Sequence, residues 1–362
     1  MVHRAIHHKG RGALTNPASR FSATAGEDFD DGWDTLDRAA EEDDTAPATH
    51  LHRDPTRRVI SRNESPDVPF SASINPYKGC AHGCIYCFAR PTHEYLDHSS
   101  GLDFETEIYY KPDAAELFEA ELRHPRYRCE AITLGANTDP YQPDDRHLGI
   151  TRSILEVAHR FNQPISIITK GAHVTRDLDL IGDLAHRNLA SVFVSLTSLD
   201  NGLKRHLEPR AAAPAQRLRT IEALAHAGVP TGALVAPVIP MITDAEIEHL
   251  VGAAADAGAT RAGYVMLRLP HAIKHLFREW LAAHYPERAE HVMSLINQMR
   301  GGADYDSAWG TRMTGTGTYA DLIAKRFALA CRRTGINGKR FSLDTTAFRV
   351  PPAAGDQIGF DF

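Results

Sequence analysis

The stretch KGCAHGCIYCFAR, residues 78–90, places three cysteines, Cys80, Cys84 and Cys87, within eight residues. It supplies no fourth. Metal centres built from cysteine are usually closed by four protein ligands, so the spacing Cys80-x3-Cys84-x2-Cys87 poses a chemical question. Compact thiolate triplets suit iron–sulfur ligation, where soft sulfur donors hold iron in a tight loop. Gly79 and Gly83 let the backbone bend around such a cluster and bring N–H groups near its sulfurs. The competing reading is zinc, which takes four ligands, often as two separated CxxC pairs. His82 is the candidate fourth donor, but it lies between two of the cysteines, where reaching the same metal is strained.

From residue 70 onward short β-rich runs alternate with longer amphipathic ones, the pattern of consecutive βα units around a parallel sheet. The strand candidates are 71–77, 131–137, 165–170, 191–196, 231–239 and 262–268, β-branched and nearly continuously apolar, as strands buried on both faces require. Helical patterns lie between them at 113–123, 151–161, 177–187, 214–228 and 244–258, two of them ending in Ala-Gly at a plausible stop. A full barrel needs eight such units; six predict an incomplete one. After Pro270 the pattern turns helical, at 272–300 and 319–333, joined by the Gly/Thr-rich GTRMTGTGTY. The cysteine loop follows the first strand, and in parallel α/β barrels the loops after the strands form the active face. Cys129 begins a strand and is expected at the opposite end. Cys331, on a late helix, reads as core.

The rest of the chain narrows the class. Its 362 residues suffice for one large barrel-type domain or two average ones. No apolar run reaches the roughly eighteen residues of a membrane span, and MVHRAIHHKGRG lacks the apolar region of a secretory signal. Five cysteines, three of them clustered, do not form a dispersed disulfide framework, so a reducing, cytoplasmic setting is expected. Up to about residue 65 the chain is rich in Asp, Glu, Ala, Thr and Arg with few spaced apolar residues, a composition expected to be largely disordered. Within it GRGALTNPASRF, residues 10–21, carries turn residues and apolar anchors suited to lying against the folded domain. Residues 27–44 alone hold a net −9 of the total −6, leaving +3 for the remainder, which neither demands nor excludes a nucleic-acid partner. The expected organisation is an acidic segment over 1–65, a core over 66–270 and a helical extension over 271–362 packing on the barrel.

CxxxCxxC with an aromatic residue, Tyr86, just before its last cysteine resembles the signature of radical S-adenosylmethionine (SAM) enzymes, and the order of strands and helices over 70–270 is similar to that superfamily's partial (β/α)6 TIM-type barrel. More narrowly, NPYKGCAHGCIYCFAR, GANTDPYQPDD, IITKG, SLTSLD, LEPRAAAPAQRL and VAPVIPMITD resemble the spore photoproduct lyase-like group, and the leading GRGALTNPASRF resembles an uncharacterised bacterial branch of it. The resemblance implies that Cys80, Cys84 and Cys87 hold one [4Fe-4S] cluster. The amine and carboxylate of S-adenosylmethionine then chelate its fourth iron, and one electron cleaves the sulfonium to a 5′-deoxyadenosyl radical that abstracts hydrogen. It also implies a reducing partner such as a flavodoxin or ferredoxin, and a substrate whose class, small molecule, nucleic acid or protein, stays open.

The same resemblance assigns cofactor contacts. Thr138 and Asp139 match the polar pair near the cofactor's amino group. Lys170 can neutralise the cofactor carboxylate as a point charge, and Ser195 can donate to the ribose or carboxylate. Glu208 and Arg210 can clamp charged ends, Arg210 with the bidentate fork suited to carboxylates. Tyr86 is expected near adenine, and Ala236 with the backbone after the fifth strand lines the adenine pocket. Each has a plainer alternative: surface charge for Lys170 and Asp139, a strand-end hydrogen bond for Ser195, a mutual ion pair for Glu208 and Arg210, loop packing for Tyr86.

One departure matters. Where the lyases carry a hydrogen-donating cysteine, this chain has Ala136 and Asn137, which argues against thymine-dimer reversal by their mechanism. A DNA-repair reading would rest on scattered basic residues, Lys204, Arg205, Lys339 and Arg340. A non-catalytic iron–sulfur or zinc protein would keep the triplet without needing polar residues at successive strand ends.

Overall fold

The computed structural model describes residues 8–21, 47–339 and 341–352; the acidic run at 27–44 and Arg340 lie outside the described residues. Strands β1 (His50–Arg53) and β2 (Ile60–Arg62) come first. Next, β3 (Ala72–Ile74) and β4 (Tyr77–Lys78) lead into the cysteine loop, and β5 (Glu107–Tyr110) follows it. From there β6 (Ile132–Leu134), β7 (Ile165–Thr169), β8 (Ala190–Ser195), β9 (Thr231–Val238) and β10 (Arg261–Met266) alternate with helices. The helices are α1 (Ala114–Leu122), α2 (Ile150–Phe161), α3 (Leu178–His186), α4 (Asn201–Leu207), α5 (Pro214–His226) and α6 (Ile247–Asp256).

One seven-stranded sheet runs in the order β10-β9-β8-β7-β6-β3-β2. Its first six strands are parallel and β2 is antiparallel to β3. The two edges do not pair with each other, so this is the expected partial (β/α)6 barrel. Most residues of β8 are buried, as the near-continuous apolar run demands. Asp200 caps α4 by accepting from Gly202 N at 2.6 Å, Pro214 opens α5, and the two Ala-Gly stops fall at Gly228 and Gly258 with φ of 72° and 97°. The main core lies between sheet and helices, built from Ile132, Ile167, Val192, Val235, Leu224 and Leu250 among others.

The stretch expected as one helical run at 272–300 is two helices, α7 (Ile273–His284) and α8 (Ala289–Met299), broken around Pro286; α9 (Gly317–Thr334) follows. A second apolar cluster joins Leu276, Phe277 and Trp280 of α7 to Cys84, Ile85 and Tyr86 of the cysteine loop and to Leu203 and Leu207 of α4. Trp280 is fully buried and its indole donates to His206 O at 3.0 Å. The helical extension thus forms the wall behind the loop. Among the described residues, no helix is long and apolar enough to cross a membrane.

The N-terminal stretch departs from the expectation of disorder in its described parts. β1 pairs in parallel with β5, and β5 with β4, in a small three-stranded sheet, while β2 covers the edge of β3. Val59 N and Ile60 N both donate to Glu121 Oε1, at 2.6 and 3.2 Å, and His50 and His52 grip the two oxygens of Glu107 at 2.7 and 2.6 Å. Backbone pairing and carboxylates carry this ordering with few apolar side chains, so hydrophobic content does not register it.

The Trp280→Ala variant removes the largest side chain of the second cluster and is expected to lose about 3–5 kcal/mol of unfolding free energy. Urea unfolding under anaerobic, reducing conditions checks this, and a loss below about 1 kcal/mol contradicts the packing described.

Candidate active site at the cysteine loop

The loop is a series of tight turns. Cys80 N donates to Phe104 O at 2.9 Å, Gly83 N to Cys80 O at 3.2 Å, Cys87 N to Cys84 O at 3.2 Å and Arg90 N to Cys87 O at 3.1 Å. Ile85 N reaches Leu207 O at 3.2 Å and Ala81 N reaches Gln142 Oε1 at 2.8 Å, tying the loop to neighbouring barrel loops. Cys80 and Cys84 are buried and Cys87 is half-buried. Burial pushes the Cys84 thiol up to about 12 and the Cys80 thiol well up, so neither ionises without nearby positive charge.

The chemistry of this donor set discriminates between metals. Among the described residues no three His, Cys, Asp or Glu side chains converge on a single ion. Zinc requires such convergence, whereas in a four-iron cluster each thiolate binds a different iron. Cys129 and Cys331 are engaged elsewhere: Cys129 Sγ donates to Gln163 Oε1 at 3.7 Å, and Cys331 lies in the main core beside Asn337. Cys80, Cys84 and Cys87 are therefore the thiols left for a metal centre among the described residues, and soft sulfur donors of this kind suit iron–sulfur ligation.

Beside the loop lies a largely buried polar network. Glu208 accepts from Tyr86 Oη, from Arg217 Nη2 and, at 2.7 Å, from Thr197 Oγ1. Burial alone would raise this carboxyl, but Arg217 and Lys170 outweigh it and hold it at about 2. The Lys170 ammonium sits 5.7 Å from the Tyr86 ring centroid. Burial lowers its pKa, yet the charges at Cys84 and Glu208 leave it raised overall. Arg217 also donates to Ser195 O at 3.0 Å, and the Thr197 hydroxyl oxygen lies 3.0 Å from Ala236 O. On the loop's other flank Asp139 accepts from Lys170 N and Thr169 Oγ1, both at 2.7 Å, and lies 3.3 Å from His82 Nδ1. Burial opposes its ionisation, but His82 and these bonds hold it at about 2. Thr138 Oγ1 donates to Tyr77 O at 2.7 Å.

Tyr86, Lys170 and Glu208 therefore meet, Ser195 and Ala236 are one hydrogen-bonded residue away, and Thr138 and Asp139 line the adjoining strand ends. Arg210 does not form the mutual ion pair with Glu208 offered as the plainer alternative; its guanidinium donates to Thr49 Oγ1 at 3.1 Å, because Arg217, one turn into α5, takes the carboxylate first. Arg217 and Thr197 were missed, although both lie within motifs already singled out, LEPRAAAPAQRL and SLTSLD. Lys204, offered as a phosphate contact, donates to Pro209 O at 2.9 Å.

A second feature is the N-terminal strap. Gly12 N and Ala13 N donate to Glu105 Oε2 and Oε1, each at 2.9 Å, and Arg90 donates to the same carboxylate at 2.5 Å. Arg90 also donates to Cys84 O at 2.9 Å. A Cβ at Gly12 would stand 1.9 Å from Gly83 O, and one at Gly83 2.6 Å from Glu105 Oε2, so only glycine permits this approach of strap to loop.

An open parallel barrel with a three-thiol loop at the C-terminal ends of its strands defines a class of iron–sulfur radical enzymes. Comparisons agree. The family model of the Radical SAM superfamily matches residues 74–254. An uncharacterized protein of Mycobacterium tuberculosis is 41% identical over 233 residues, covering 64% of this chain and 68% of that protein. One of Methanocaldococcus jannaschii is 26% identical, covering 60% and 77%. Among solved structures, a spore photoproduct lyase variant aligns with a TM-score of 0.55 at 17% identity over 78% of both chains. Another, with bound AdoMet and dinucleoside spore photoproduct, aligns at 0.52 and 19%, over 78% and 77%; at these identities the likeness is one of fold. The chain belongs to the radical SAM superfamily, whose members use a [4Fe-4S] cluster and S-adenosylmethionine.

Glu105→Ala leaves the buried Arg90 guanidinium with carbonyl partners but no counter-charge, and leaves two backbone donors without a partner. The expected loss is about 3–5 kcal/mol of stability, read by anaerobic urea unfolding, and an unchanged midpoint would show that the strap does not depend on this carboxylate.

Proposed function

We propose that this radical SAM enzyme holds its cluster on Cys80, Cys84 and Cys87 and uses the open end of the barrel to present a substrate hydrogen for abstraction. One observation carries the reading: three clustered thiols, two buried and one half-buried, with no fourth protein donor among the described residues, stand beside an ion network at the C-terminal ends of parallel strands. When bound, the cluster and S-adenosylmethionine together supply reductive cleavage of the sulfonium to a 5′-deoxyadenosyl radical.

The protein's own groups do the rest. The three thiolates bind iron, and the nearby Lys170 ammonium offsets their charge and supplies a counter-charge for the cofactor carboxylate. Glu208, held ionised, fixes Tyr86 and Arg217 in place. Asp139 stiffens the turn from β7 into Lys170 and orients His82 within the loop. Ser195 and Thr138 present strand-end polar groups to the same side. The closed second cluster of α7 keeps water from the back of the loop. Ala136 and Asn137 supply no thiol for hydrogen return, so the radical's last step differs from that of a cysteine-donating lyase.

Anaerobic reconstitution should give about four irons per chain, and dithionite with S-adenosylmethionine should release 5′-deoxyadenosine. Cys84→Ala should abolish both. Stoichiometric zinc without cofactor cleavage would overturn the proposal. Lys170→Met, measured by equilibrium binding of S-adenosylmethionine to the iron-loaded protein, should weaken affinity at least about tenfold, or about 1.4 kcal/mol; unchanged affinity removes Lys170 from the cofactor's contacts.

A further inference from the structure

Arg268 lies just past the end of β10, at the same end of the sheet as the cysteine loop. Its guanidinium carbon is 5.1 Å from the ring centroid of Phe88, the residue after Cys87, and that ring is 42% exposed. Its hydrogen bonds are poor: Nη1 reaches Met313 Sδ at 3.5 Å, Nη2 reaches Tyr305 Oη at 3.4 Å, and the buried Nε has no partner.

A second arginine deepens the imbalance. Arg300 is 4% exposed and donates only to carbonyls, Thr311 O and Leu267 O, both at 3.0 Å, with its own Nε unpartnered. Burial and the charge of Arg268 lower its pKa. Asp306, whose charge reaches Arg300, is bonded to Ala308 N at 2.9 Å and Thr311 Oγ1 at 3.0 Å. Among the described residues neither arginine has a carboxylate within ion-pair distance, whereas the buried Arg90 and Arg217 each have one. Arg300 is sequestered without an anion, which is unusual because desolvation is offset only by a paired charge, and the half-buried Arg268 beside it adds a second unpaired charge. The cofactor residues proposed above cluster around Lys170 and Glu208 and make no use of Arg268.

We propose that Arg268 is the oxyanion-binding residue for the substrate, so that the molecule entering the barrel mouth carries a carboxylate or phosphate placed between Phe88 and Tyr305. The guanidinium offers a planar fork matched to either group. Phe88 holds its plane by stacking, and the Tyr305 hydroxyl adds a donor on the same side. The substrate's anion is thereby fixed beside the cysteine loop, the position from which a neighbouring C–H can be presented. This inference rests on the radical SAM reading of the site.

The test uses full-length, iron-reconstituted protein titrated anaerobically with inorganic phosphate and, separately, with 13C-acetate, followed by NMR line broadening. Saturable binding is expected for at least one of them, weakened at least tenfold in Arg268→Met, which keeps the side chain's length against Phe88, and partly restored in Arg268→Lys. Phosphate alone selects a phosphorylated substrate, acetate alone a carboxylic acid. Equal binding in wild type and Arg268→Met, or no saturable binding in wild type, overturns the assignment. So does a loss confined to S-adenosylmethionine affinity, which moves the anion to the cofactor. Iron content is read on the same samples. Wild-type protein that fails to load iron counts against the cluster, whereas loaded protein that fails to bind either anion counts against Arg268 alone.

Discussion

A single buried carboxylate, Glu105, holds the cysteine loop in place. It accepts from the strap at Gly12 and Ala13 and from Arg90, and Arg90 in turn donates to the carbonyl of Cys84. Neither side chain of the ion pair has any exposure. Such a pair returns little net stability over an apolar one but makes every alternative arrangement costly. Here that cost falls on any conformation that moves the strap from Gly83 or turns Cys84 away. The loop is thus stiffened from outside, through its backbone rather than through its three thiols.

The same economy governs the other flank. Buried thiols resist ionisation, and Cys84 is pushed up to about 12 by its surroundings. Lys170 works against this, and Lys170 is itself kept charged by Cys84 and Glu208. Glu208 is kept charged by Arg217 and Lys170. Each ion is tolerable in the interior only because the others are there, so the network must assemble as a unit.

Much of this was legible in the sequence, for identifiable reasons. The six parallel strands announced themselves by continuous β-branched runs, and the cysteine loop by a spacing that four-ligand metals do not use. Lys170 was picked out at a strand end and Tyr86 within the cysteine loop, and the fold brings the two together. The plainer alternative of a Glu208–Arg210 ion pair followed proximity in sequence, whereas α5 swings Arg217 back over the carboxylate; a helix beginning at Pro214 brings its first turn toward the preceding loop. The strands at 50–53 and 60–62 escaped notice because their order comes from backbone ladders and carboxylates, which composition cannot reveal.

An open barrel has two edges, and each must be protected without closing the mouth. β2 covers one edge by antiparallel pairing with β3. At the other, Met266 N donates to Met313 O at 2.8 Å, and the Asn337 amide both accepts from Ala262 N at 3.1 Å and donates to Ala262 O at 2.9 Å, standing in for a strand. The loop that supplies Met313 also supplies Tyr305 beside Arg268. Edge protection and the charged mouth are therefore one structural device. Shortening that loop to expose the mouth would unpair β10, and the position of Arg268 is tied to the integrity of the sheet it follows.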